Sequence, residues 1–175
     1  MAVMEQNADL RLPTIAVPVR LAVVGGALVD AEVFVRDTVR TGRTQLLEDV
    51  AATFDDDAPF VPVRFATGEV KLLAKRAIAW VEVQRSASDI DVDVDESPSE
   101  VITLYDRHHR VVVELVSAAR GGRAQLEGSL FDSSPADRPR VIDHLNRARR
   151  FLRLWTPRAQ TLINTDQILS VSEHR

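Results

Sequence analysis

The densest charge in this 175-residue chain is RARRFLR, which sets Arg147, Arg149, Arg150 and Arg153 close together, with Arg138 and Arg140 just upstream. Residues three apart share a helical face, so Arg147 and Arg150 could track a phosphate backbone, while Arg149 points elsewhere and breaks the stripe. The same cluster also reads as a solvated helix end, with cations at the negative pole and Asp143 paired to Arg147. No aromatic cluster beside the arginines offers a platform for stacked bases, Trp155 being the nearest ring. His108 and His109, with Asp106 and Glu114, have metal-binding side chains. Neighbouring residues of a strand face opposite ways, however, so the two imidazoles reach one ion only across a bend. His144 and His174 stand alone. The run Asp55, Asp56, Asp57 lacks the alternating ligands and closing glutamate of a calcium loop and reads as a turn after a helix.

Other chemistries are excluded by residue type. There is no cysteine, which removes disulfides, thiolate metal sites and a cysteine nucleophile. Arg36 and Arg40 have the Arg-x-x-x-Arg spacing of PilZ-type cyclic-dinucleotide clamps, but the companion serine-glycine motif is missing and the run around Ser133 and Ser134 does not replace it. The glycine pairs at 25 and 121 lie between strand patterns rather than before a helix, so neither is a phosphate loop or a dinucleotide fingerprint, and no nucleophile elbow exists. With no acid, base or nucleophile to name, the chain reads as non-enzymatic and without a cofactor. A net charge of -4 argues against a general polyanion binder. The first twenty residues lack the basic start and apolar core of a secretory signal, and apolar runs such as LAVVGGALV fall far short of the roughly 20 residues that span a bilayer. The expectation is a cytoplasmic protein with no membrane partner.

The elements that must position these groups come in two rounds. Setting LLAKRAIAWVEV on LINTDQILSVSE superposes Leu72 on Leu162, Leu73 on Ile163, Ile78 on Ile168 and Val81 on Val171. Upstream, FVPV at 60–63 matches FLRL at 151–154, QLLEDVAATF matches RVIDHLNRAR, and VVGGALVDAEVFV matches SAARGGRAQLEGSLF. Each round reads as a strand, a glycine turn, a second strand, a short helix, two strands and a last strand. The helices show one apolar stripe each, from Leu47, Val50, Ala51 and Phe54 and from Val141, Leu145 and Ala148. Thr44 is placed to cap the first, and Pro139 sits where a first helical turn tolerates proline. Trp80 and Trp155 fall in strand patterns, at core or rim. Between the rounds, residues 85–101 alternate aspartate with Val or Ile before a Ser-Pro and read as an acidic linker. The domains are therefore expected at 1–84 and 102–175.

The second round resembles the Sm-like barrel family, and more closely an uncharacterised group of bacterial tandem Sm-like domains. The resemblance rests on VVVELVSAARGGRAQLEGSLF as a first motif and on INTDQI, residues 163–168, as a second. It implies a mainly β fold with short helices (α+β): two tandem small Sm-like or SH3-like barrels, each with one inserted helix. In RNA-binding members an Arg-Gly pair of the second motif helps hold a base; Asn164-Thr165 and Ala74-Lys75 stand in its place here. The resemblance marks Asn164 and Asp166 as candidate binding residues beside Arg147, Arg149, Arg150 and Arg153. The functional expectation is a non-catalytic protein-interaction or assembly module, its partner a protein, self-association included. The alternative is a nucleic-acid or nucleotide binder working through the arginine cluster.

Overall fold

The computed structural model describes residues 14–36, 43–84, 108–116, 124–131, 140–156 and 159–173. In chain order the first half contains β1 (Thr14–Val23), β2 (Leu28–Arg36), α1 (Arg43–Asp55), β3 (Phe60–Phe65), β4 (Val70–Ala74), a 3-10 turn (Lys75–Ala77) and β5 (Ile78–Gln84). The second contains β6 (His108–Leu115), β7 (Gln125–Phe131), α2 (Val141–Arg147), β8 (Phe151–Trp155), β9 (Ala159–Asn164), a 3-10 turn (Thr165–Gln167) and β10 (Ile168–Glu173). The acidic stretch 85–101, the second glycine pair, the serine pair at 133–134 and the Arg36–Arg40 spacing beyond Arg36 lie outside the described residues, as does His174.

The ten strands form one sheet in the order β10-β6-β7-β8-β9-β5-β1-β2-β3-β4, with every pairing antiparallel. Each half contributes a run of the same order, β5-β1-β2-β3-β4 in the first and β10-β6-β7-β8-β9 in the second. The agreement extends to irregularities. In both halves the last strand skips one residue where it meets the first: Ala22 lies opposite Trp80 and Val23 opposite Ile78, while Glu114 lies opposite Ser170 and Leu115 opposite Ile168. Ala79 and Leu169 are the skipped residues, so the bulge that re-aims each strand is placed identically. Beyond it, Val24 N donates to Ala77 O at 2.8 Å and Val116 N to Gln167 O at 2.9 Å.

The expected pair of closed barrels is not what forms. Closing either half would require its two outer strands, β4 and β5 or β9 and β10, to pair with each other. Those strands are joined by a three-residue 3-10 turn that carries the chain away to β1 or β6 instead. The free side of β5 is then occupied by β9, with Trp80 opposite Ile163, Val81 opposite Leu162, Glu82 opposite Thr161 and Val83 opposite Gln160. The result is a single open sheet whose two ends are β10 and β4.

Side chains alternate across that sheet, which sorts them into two cores. Val17, Val19, Leu21, Val33, Val35, Val61, Val63, Val81 and Val83 share the first with the α1 stripe of Leu47, Val50, Ala51 and Phe54. Val111, Val113, Leu115, Leu126, Leu130, Leu152 and Leu154 form the second, against which Val141, Leu145 and Ala148 of the α2 region pack while partly exposed. The cores are exchanged at the joint. Phe151 and Leu162 of the second half are buried in the first core, and Ala22, Ala79 and Trp80 of the first half are buried in the second. Past the bulge, Trp80 and Val81 of β5 face different cores, as do Leu162 and Ile163 of β9, and β9 is buried along its whole length. One position permits no side chain at all: a Cβ on Gly128 of β7 would lie 2.5 Å from the Trp155 carbonyl oxygen and 2.7 Å from Leu154 Cγ.

Candidate functional site

The arginine cluster does not form a stripe. α2 ends at Arg147, so Arg150 and Arg153 lie outside it and the shared helical face expected for Arg147 and Arg150 does not exist. The chain leaves the helix at Ala148 and turns into β8, which points the later arginines across the joint. Arg150 Nη1 donates to Ala58 O at 3.2 Å, and Arg153 Nη1 pairs with Glu48 Oε2 of α1 at 2.5 Å. Arg149 is exposed. Asp143 takes its hydrogen bond from upstream: Arg140 N donates to Asp143 Oδ2 at 2.8 Å, and the Arg140 guanidinium stands 3.6 Å from it. That backbone donor first, then the charges of Arg140 and Arg147, hold the Asp143 carboxyl below its ordinary value of 3.8.

Asn164 is fully buried, and its amide is spent on the joint. Nδ2 donates to Ile78 O at 2.9 Å and to Lys75 O at 3.3 Å, while Oδ1 accepts from Asp166 N at 3.0 Å. The side chain thus ties the 3-10 turn of one half to that of the other. Asp166 is exposed at the head of the second turn. Of the six candidate residues, Arg150, Arg153 and Asn164 converge on the first half, whereas Arg147, Arg149 and Asp166 remain apart on the surface.

Lys75, one of only two lysines in the chain, is among the most buried charged groups of the protein. Its Nζ donates to Thr53 O at 2.6 Å, to Asp56 O at 3.2 Å and to Asp56 Oδ1 at 2.5 Å. A cation here caps the last carbonyls of α1, where the helix dipole is negative. Asp55 Oδ1, at the same helix end, accepts from Phe151 N at 3.0 Å. The C-terminus of α1 is therefore anchored on one side by the first 3-10 turn and on the other by β8.

His109 Nδ1 lies 2.9 Å from Glu173 Oε1, linking β6 to β10. Among the described residues no group of three His, Asp or Glu side chains is arranged to hold a metal ion. No helix of the described residues is long and apolar enough to cross a membrane. Trp80 is buried in the second core, and Trp155 packs edge-on to Phe131 with ring centroids 5.9 Å apart.

What the surface does present is apolar, and much of it lies at the ends of the sheet. On the β3–β4 edge Phe60, Val70 and Leu72 are exposed, Leu72 to 69%. At the β10 end Leu169 and Val116 are exposed, and Ile142 of α2 is a further large apolar group left in solvent. The edge strands are short and carry Lys71 on β4 and a bulge on β10, features that restrain indiscriminate pairing without covering the strands. Sequence reading missed this site because alternation alone does not say which strand ends a sheet. Compared with family models, with curated proteins and with solved structures, the chain gives no match.

Proposed function

We propose that the protein is a non-catalytic interaction module that binds protein chains along the free edges of its sheet. The observation that carries this reading is Leu72, exposed at the centre of a terminal strand and flanked on the same end by Phe60 and Val70. An edge strand offers a row of unpaired backbone donors and acceptors to an extended segment, and alternate side chains supply the apolar contact. Burying a leucine of this kind contributes about 2 kcal/mol, enough to favour a matched strand over water. The arginine cluster supports the nucleic-acid alternative less well, because Arg150 and Arg153 are engaged with Ala58 and Glu48.

The test is photo-crosslinking in cells from a reactive amino acid at position 72, with the exposed position 127 on a central strand as control. Protein adducts specific to position 72 support the reading. Adducts to nucleic acid, or a pattern equal to that of the control, overturn it.

A further inference from the structure

The joint between the halves describes a contact that the free ends of the sheet are built to repeat. β9 occupies in the second half the place that β4 occupies in the first, and β5 corresponds in the same way to β10. The registers fix the correspondence residue by residue. Phe60 lies opposite Ala74 as Phe151 lies opposite Asn164, and Arg64 opposite Val70 as Trp155 opposite Gln160. Inside the chain, the β8–β9 end of one half is seated on the β5 strand and helix of the other. Phe151 packs edge-on against Phe54 of α1 at 5.3 Å between centroids, and Leu162 is wholly buried in the same core.

The counterparts of those two residues have no such seat. Phe60 is 53% exposed where Phe151 is 2%, and Leu72 is 69% exposed where Leu162 is 0%. The receiving side is equally incomplete. α1 buries Leu47, Val50, Ala51 and Phe54, whereas α2 buries no residue and leaves Ile142 48% exposed. Leu169, at the place of the buried Ala79, is exposed as well. Phe60 and Leu72 lie at the opposite end of the strand order from β10, so one chain does not supply both partners of this contact.

We propose that the occupant of the β4 edge is β10 of a second copy of this chain, in antiparallel pairing, so that molecules join head to tail. Transposing the register of the internal joint places Leu72 opposite Val171, Lys71 opposite Ser172, Val70 opposite Glu173 and Leu73 opposite Ser170. Phe60 then seats against α2 of the second copy, as Phe151 seats against α1. The interface is heterologous: each molecule presents one edge of each kind, and the assembly grows until it closes on itself or remains open. This inference rests on the reading of the sheet edges as protein-binding surfaces and names the partner.

The experiment is sedimentation velocity on the full chain over a wide concentration range, with edge variants. The wild-type chain is expected to associate beyond a dimer as concentration rises. Leu72→Lys blocks the β4 edge and Leu169→Lys the β10 edge; both positions are exposed, so the fold tolerates them. Each variant alone stays monomeric, and a one-to-one mixture forms a dimer that does not grow, since only one compatible pair of edges remains. The chain lacks cysteine, so mixing Leu72→Cys with Val171→Cys chains and oxidising them traps that dimer as a single disulfide species if the register is right. A wild-type chain that is monomeric at every concentration overturns the inference, as do mixed variants that stay monomeric or association sensitive to only one edge. Photo-adducts at position 72 to a different protein would leave the proposed function standing and remove this partner.

Discussion

Phe60 and Phe151 occupy the same place in the two halves and differ in surroundings, which makes them a matched pair for testing the joint. Phe151 is buried in the core of the half to which it does not belong, against Phe54. Its truncation to alanine removes a buried ring and leaves a cavity between α1 and β8, a loss of about 3–5 kcal/mol. Phe60→Ala removes a ring more than half in water and costs about 1 kcal/mol in the dilute monomer. Urea denaturation followed by circular dichroism reads both. With an m-value of about 2 kcal/mol/M, Phe151→Ala lowers the midpoint by roughly 2 M and Phe60→Ala by well under 1 M. In Phe151→Ala, amide exchange should accelerate first at Val50, Ala51 and Phe54 of α1, although the substitution lies about a hundred residues later in sequence. Equal effects of the two substitutions, or an α1 indifferent to Phe151, would refute the exchange of core residues between halves.

Three further outcomes follow from particular contacts. Lys75→Met keeps the aliphatic stem but removes three hydrogen bonds at the end of α1. It should destabilise the protein by about 2–3 kcal/mol, measured by chemical denaturation, because the Thr53 and Asp56 carbonyls lose their donor. Gly128→Ala places a methyl group against a strand carbonyl and should cost at least about 2 kcal/mol, visible as a fall in Tm. Asp143 has a folded-state pKa below its ordinary 3.8, so its carboxylate contributes stability that is present above that pH and lost as pH falls through the lower folded value. Exchange at the first turn of α2 should therefore accelerate as pH is lowered below about 3.8, and Asp143→Asn should abolish that dependence.

The repeated order of segments was legible because hydrophobic alternation and the helical stripe of Leu47, Val50, Ala51 and Phe54 depend only on local periodicity. The pairing of β5 with β9 was not. VKLLA and TLIN carry similar patterns, and which of them lies inside the sheet depends on the order of the halves rather than on either segment. Phe60 and Phe151 show the limit most sharply, being the same residue in the same motif with opposite burial. The arginines misled for a related reason. Spacing assigned Arg147 and Arg150 to one helix face, but the helix stops at Arg147 and the partners of Arg150 and Arg153 lie far back in sequence, at Ala58 and Glu48. Asn164 carried a legible hint of importance, since an amide amid the apolar run of TLIN requires partners when buried. The resemblance directed attention to it as a binding residue, whereas its hydrogen bonds hold the two halves together. Lys75 gave a comparable signal, a lysine between two apolar strands.

Residue-resolved hydrogen exchange on the dilute monomer tests the central claim, one sheet with two free ends, most directly. If β5 and β9 pair as described, the amides they exchange across Val81–Leu162 and Val83–Gln160 are protected to nearly the level of β1, while outward amides of β4 and β10 exchange freely. Exchange in β5 and β9 as fast as in the outward amides of β4 and β10 would mean two separate bodies, and would contradict the account.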